Sequence, residues 1–177
     1  MIIGLILAGG LSSRMGEDKA LMEIDGLSML ERTTRILRSV GAERVIVSGT
    51  RPGGIPDRWP QAGPVGGMAS AVDEIPDADL LVVPVDMPRL DQAVLAPLLS
   101  ERSQRATRWA GHPLPMRLTL DAGTRDALAA LMTLTGRDRS VSALQTRIGT
   151  TTLPLEGLDP LLLANCNTPD EWREANA

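Results

Sequence analysis

The chain has 177 residues, 43% hydrophobic and 23% charged, which suits one domain with a core of its own. A net charge of −4 excludes the broad basic footprint of a nucleic-acid binder. Three Trp and no Phe or Tyr exclude an aromatic platform for single-stranded bases, and one Cys with one His excludes an internal disulfide or a multi-Cys/His zinc site.

The opening run Ile2–Ala8 is continuously apolar and stops at Gly9-Gly10. It lacks a charged n-region and is too short for a signal peptide, so it reads as a buried parallel strand feeding a loop. Ser28 to Arg38 has helical spacing, with Ser28 and Glu31 set as a capping box and Gly41 as the stop. Arg44–Ser48 reads as a strand, Gly49–Pro64 as a Gly/Pro-rich loop, and Val65–Ile75 as a helix. Asp79–Val85 is a third apolar strand, ending at Asp86-Met87-Pro88, and Asp91–Arg102 is a further helix.

This β-loop-α-β-loop-α-β-α order predicts a single α/β domain over 1–177 with a mostly parallel sheet. In the second half, Ala106–Ala110, Leu114–Leu120 and Thr150–Leu155 read as strands. Asp121–Leu134 and Ser140–Arg147 read as helices, and Thr168-Pro-Asp-Glu171 is a helix start with Thr as N-cap. No stretch reaches transmembrane length, and the lone cysteine suits a reducing cytoplasm, which is the expected location.

The segment LAGGLSSRMGEDKA, residues 7–20, carries the chemistry. Open α/β sheets bind ligands at the carboxyl ends of their strands. A strand ending in Gly-Gly lets the backbone come close to a ligand, and its free N–H groups can cradle phosphate. Ser12 and Ser13 add hydroxyl donors; Arg14 and Lys19 add positive charge. The spacing is neither that of a P-loop nor that of the dinucleotide fingerprint. Lys19 is also the single lysine beside 17 arginines. The two residues are interchangeable as generic surface charge but not where a compact ammonium must meet one oxygen, so this position is read as phosphate-binding.

LAGGLSSRMGEDKA resembles the signature loop of the molybdenum cofactor guanylyltransferases, LAGG-x-S-x-R-M-G-x-D-K. Gly63-Pro-Val-Gly-Gly67 resembles that family's GPLAG loop, Val85-Asp-Met-Pro88 its aspartate-x-proline metal motif, and Asn165-Cys-Asn-Thr-Pro169 its N-x-N-T-P motif. The resemblance implies a Rossmann-like three-layer nucleotidyltransferase fold, with GTP bound by the N-terminal half and the acceptor by the C-terminal half. It further implies a Mg²⁺ ion and transfer of GMP from GTP to the terminal phosphate of molybdopterin, with release of pyrophosphate.

Carried over residue by residue, Leu7, Ala8 and Gly9 match backbone positions that read the guanine, with Gly10 and Ser12 in the same loop. Lys19 and Arg14 match its phosphate-side cations, and Asp86 its metal-binding aspartate. Asp57 fits a guanosine-contacting aspartate. Asn165 and Asn167 match polar positions on the acceptor side. Where the family often has Asn after the second strand, this chain has Ser48-Gly-Thr50, which makes Thr50 the candidate ribose or base contact. GPVGG in place of GPLAG is expected to add backbone freedom.

On an extended segment Asn165 and Asn167 point the same way and Cys166 the other, as a small buried hydrophobe. His112 is read either as a border of the acceptor pocket or as a structural histidine. The implied partners are GTP and molybdopterin, with transient contacts to other proteins of cofactor biosynthesis or molybdoenzyme maturation, and neither nucleic acid nor membrane. Two other readings stay open on the sequence: a sister enzyme of the same fold that uses CTP, for which LAAG is the commoner spelling, or that acts on another phosphorylated acceptor, and a nucleotide-binding regulatory module without catalysis.

Overall fold

The computed structural model describes residues 1–9, 18–59 and 61–175. Strand β1 (Ile2–Leu7) lies between β4 (Arg44–Ser48) and β5 (Ala78–Pro84), parallel to both. The sheet then continues through β7 (His112–Leu120) and β6 (Ala106–Trp109) to β8 (Thr150–Leu153), in the order β4-β1-β5-β7-β6-β8. β7 runs antiparallel to both its neighbours, and β8 is parallel to β6. The mostly parallel sheet expected from the sequence is therefore present, with one reversed strand. A small hairpin of β2 (Glu23–Ile24) and β3 (Leu27–Ser28) stands apart from it; two-residue strands carry too little pattern to be read in advance.

Helices cover both faces. α1 (Met29–Ser39) and α3 (Gln92–Ser100) lie on one side. α2 (Gly63–Ala71), α4 (Ala122–Met132) and α5 (Val141–Ile148) pack together on the other, and α6 (Pro169–Ala175) closes the chain. Each face has its own aliphatic cluster. Leu5, Leu80, Val82, Met116 and Leu118 point to the α2 side, and Ile6, Leu81 and Val83 to the α1 side. That alternation is the period of two expected of strands buried on both faces.

The caps set the helix boundaries. Ser28 Oγ accepts from Glu31 N while the Glu31 carboxylate accepts from Ser28 N, the reciprocal box read from the sequence. Asp91, Asp121 and Ser140 each cap the next helix with a side-chain oxygen. The helix expected over Val65–Ile75 starts two residues earlier, at Gly63, and its last turn tightens to a 3₁₀ turn over Val72–Glu74. Pro64 causes the early start: its missing N–H costs nothing in a first turn. The segment written as loop up to Pro64 therefore ends at Ala62.

One charged side chain is buried in the sheet. Arg117 on β7 is 1% exposed; Nη1 donates to Asp79 Oδ1 at 3.0 Å and to Thr119 Oγ1 at 2.7 Å. Nη2 bonds the Gln104 carbonyl, and Arg102 reaches Asp79 from the surface side. Partial burial alone would push the Asp79 carboxyl up, but hydrogen bonds and charge from Arg102 and Arg117 outweigh it and hold the group below its ordinary value. A buried guanidinium is tolerable only with such a partner.

Asp79→Asn should therefore lower stability at neutral pH by about 2–3 kcal/mol, under the range for outright loss of one member of a buried pair because Asn keeps an acceptor. That corresponds to roughly 5–10 °C in Tm. Because the folded carboxyl titrates below the unfolded one, its contribution is present above pH of about 4 and is lost as pH falls through the folded value. Thermal melts at pH 7 and pH 3 check this: the gap between native and variant should shrink at the lower pH.

Candidate functional site

Three strand ends are laced together at one edge of the sheet. Ala8 N donates to Ser48 O at 2.9 Å and Val85 N to Leu7 O at 3.1 Å, which brings the ends of β1, β4 and β5 into register. Because β7 is reversed, its beginning rather than its end arrives here, and His112, Pro113 and Leu114 join the same rim. A cavity of about 510 Å³ opens among these residues, walled by Leu7–Gly9, Asp18, Lys19, Asp86, Asn165 and, on the apolar side, Leu114, Val141 and Leu163. A second cavity of about 230 Å³ shares Leu7, Gly9, Gly63 and Pro64 with it and is closed by Ser48, Asp57, Gln61 and Gly67.

Lys19 stands in the larger cavity. Its Nζ donates to Asp86 Oδ2 at 3.0 Å and to Asn167 Oδ1 at 2.8 Å, linking segments 67 and 148 residues away. The side chains of Lys19 and Asp86 are each 19% exposed, so this pair is reachable from the cavity yet shielded from bulk water. Asp86 follows β5 directly, and its carbonyl accepts from Cys166 N at 2.8 Å, which pins the Asn165–Asn167 segment onto the strand end.

The segment is fixed from its other side as well. The Glu171 carboxylate accepts from Asn167 N at 2.6 Å and Thr168 N at 3.1 Å, and those amides hold it below its usual range. Glu171 N in turn bonds Thr168 Oγ1, the cap expected from the sequence. Cys166 is 5% exposed and turned inward, where burial pushes its thiol up and away from thiolate chemistry.

The structure thus brings Leu7, Ala8, Gly9, Lys19, Asp86, Asn165 and Asn167 to one place, with Asp57 in the adjoining cavity. Asp57 Oδ1 accepts from Trp59 N and Ser70 Oγ, which orients its carboxyl from the α2 side. Thr50 is not brought in: it is exposed and outside the walls of both cavities. The reason is Gly49, whose φ of +142° turns the chain away directly after β4 and leaves Ser48 as the inward residue. Gly10, Ser12 and Arg14 lie outside the described residues.

His112 borders the larger cavity. The sequence reading did not single out Arg51, Asp18, Gln61 or the apolar wall of Val141 and Leu163; apolar residues in a helix and a loop carry no mark of a ligand. No helix among the described residues is long and apolar enough to cross a membrane.

The sequence matches the MobA-like NTP transferase domain over residues 4–150. It is also 44% identical to the molybdenum cofactor guanylyltransferase of Xanthomonas euvesicatoria pv. vesicatoria, over 96% of this chain and 91% of that one. The chain belongs to the MobA-like NTP transferases. A probable molybdenum cofactor guanylyltransferase of Synechococcus elongatus is 34% identical over 96% of this chain and 95% of its own. Among solved structures, the molybdopterin-guanine dinucleotide biosynthesis protein A of Archaeoglobus fulgidus superposes with a TM-score of 0.73 at 19% identity, over 99% of this chain and 97% of that one. A nucleotidyl transferase of Methanothermobacter gives 0.77 at 15% identity, over 99% and 96%. These two share the fold.

Within this MobA-like chain the GPVGG spelling has a cause other than backbone freedom. Gly66 is buried in α2, and a Cβ built there would lie 2.5 Å from Ala62 Cβ and 3.0 Å from the Trp59 carbonyl oxygen. Close approach, not mobility, requires glycine. Gly66→Ala gains about 0.5–1 kcal/mol of helix propensity but overpacks a rigid contact, at about 1–3 kcal/mol, so the net effect is a lower Tm. Adding Ala62→Gly should recover part of the loss in a thermal melt, since it removes the nearer of the two atoms in conflict.

Proposed function

We propose that this protein transfers GMP from GTP to the terminal phosphate of molybdopterin and releases pyrophosphate. The observation that carries the reading is Lys19 Nζ held between Asp86 and Asn167 in a cavity walled by the backbone of Leu7–Gly9. An ammonium there can leave its carboxylate for a triphosphate, exchanging one anion for another of higher charge. Nucleotidyl transfer asks for this kind of positioning and charge neutralisation rather than for a covalent protein intermediate.

The smaller cavity suits the base: the backbone at Leu7 and Gly9 forms one wall, and Asp57 offers a carboxylate to N–H donors such as those of guanine. In this reading Gly10, Ser12 and Arg14 also contribute to nucleotide binding. The larger cavity leaves room beyond Asp86 for the acceptor, with Asn165 and Asn167 as polar contacts and Leu114, Val141 and Leu163 as an apolar wall.

The residues fit a Mg²⁺ ion carried by the nucleotide. Asp86 Oδ1 has no hydrogen bond among the described residues, and among them no cluster of three or more His, Cys, Asp or Glu forms a protein cage. One carboxylate oxygen, with phosphates and water completing the shell, is the usual Mg²⁺ arrangement. Bound there, the ion would supply charge neutralisation for the triphosphate. In the transfer the acceptor phosphate oxygen attacks the α-phosphorus of GTP as the bond to the β-phosphate oxygen breaks. Lys19 stabilises charge on the departing pyrophosphate, and Asn165 and Asn167 orient the attacking group. The chain is placed in the cytoplasm on this reading, where nucleotide and acceptor are made.

Lys19→Ala and Asp86→Asn should each lower GTP-dependent pyrophosphate release, measured with Mg²⁺ and molybdopterin, by about 10²–10³-fold while leaving the melt cooperative. Near-native turnover in either variant would remove that residue from the mechanism. Titration of the native protein with GTP and with CTP tests the base, and tighter binding of CTP would overturn the guanine assignment.

A further inference from the structure

The guanidinium of Arg51 lies where both ends of the LAGGLSSRMGEDKA loop meet. Its Nη2 donates to the Ala8 carbonyl at 2.6 Å and to Asp18 Oδ1 at 3.3 Å. The same Asp18 oxygen accepts from Ala20 N at 3.0 Å, so the residues on either side of Lys19 are tied to one carboxylate and, through it, to Arg51. The Arg51 side chain is 13% exposed, and its Nε is buried without a partner among the described residues. An orphaned buried donor is a cost to folding, which points to a position held for what the guanidinium grips.

The base from which Arg51 reaches is rigid. Gly49 N bonds Ile55 O at 2.8 Å, Ile55 N bonds Val47 O at 2.8 Å, and Gly54 N bonds Arg51 O at 2.9 Å, closing the turn on itself. That turn is pressed against β1: a Cβ at Gly49 would lie 3.0 Å from both the carbonyl carbon and the oxygen of Ala8.

We propose that Arg51 is a positioning residue for nucleotidyl transfer, clamping the end of β1 to Asp18 and thereby fixing where the Lys19 ammonium stands. The inference rests on the transfer reading above for its catalytic consequence, but the clamp itself is a property of the protein without substrate. Lysine cannot replace Arg51, because its nitrogen sits one bond closer to the backbone and would fall short of spanning Ala8 and Asp18 together. The chain's preference for arginine thus has a local reason here, as its single lysine has at position 19.

Hydrogen exchange of the nucleotide-free protein reads the clamp directly. In Arg51→Ala the Ala20 amide should lose protection about tenfold or more relative to native, while amides of β5 keep theirs. With GTP, Mg²⁺ and molybdopterin, Arg51→Ala, Arg51→Lys and Asp18→Asn should each lower kcat/KM for GTP by roughly 10–100-fold. The Arg51→Ala/Asp18→Asn double variant should be no worse than the poorer single one, since both break the same link.

Unchanged exchange at Ala20, near-native activity of Arg51→Lys, or effects that multiply in the double variant would each overturn the proposal, the last two in favour of Arg51 acting as an independent charge on the nucleotide. If Arg51→Ala fails to fold, Asp18→Asn, whose side chain is 44% exposed, carries the same exchange and kinetic test. Loss of Ala20 protection in a protein whose native form transfers no GMP would support the clamp and sink the transfer reading instead.

Discussion

Parallel strands deliver their carboxyl ends to a single edge, and in this protein that constraint places everything else. β1, β4 and β5 end side by side, so the backbone of Leu7–Gly9, the hydroxyl of Ser48 and the carboxylate of Asp86 are neighbours although the sequence separates them widely. The strands themselves are aliphatic and buried on both faces, so their positions are set by packing that no ligand has to supply. The polar residues at the edge are what remains when each strand runs out of core.

Much of this was legible beforehand because the local signals were strong. Arg44–Ser48 is a strand from end to end, and the Ser28/Glu31 box and the Asp91 and Asp121 caps fall where short polar side chains precede apolar periodicity. Lys19, Asp86, Asn165 and Asn167 were found by residue type and motif, and they meet in space. What escaped was of two kinds. The reversal of β7 is a tertiary choice that leaves no trace in an alternating run such as Leu114–Leu120. Arg51 was hidden because an arginine in a Gly/Pro-rich loop looks like solvated charge, and only the fold puts Ala8 and Asp18 on either side of its guanidinium. Thr50 was proposed as a ribose or base contact where the family often has Asn, while the positive φ of Gly49 turns that residue outward.

The pairing of Lys19 with Asp86 and Asn167 bears on how the two halves of the chain communicate. One ammonium spans the Asp86 carboxylate and the Asn167 amide, and the Asn167 end is itself held by Glu171 through two backbone amides. Glu171 belongs to α6, so the last helix is part of the site's scaffold. The buried Arg117–Asp79 pair does comparable service for the sheet far from that edge, locking β7 against β5 where their register begins.

The reversed strand carries one more implication. Since β7 enters the rim by its first residues, the cavity wall at His112–Leu114 is the tip of a hairpin whose turn is Ala110-Gly111, with Gly111 exposed. The wall at Leu7–Gly9, by contrast, grows out of strand ends embedded in the sheet. A lineage could lengthen, shorten or recolour the hairpin tip without disturbing the wall at Leu7–Gly9. The fold thus ties one wall of the cavity to its core and leaves the other open to evolutionary change.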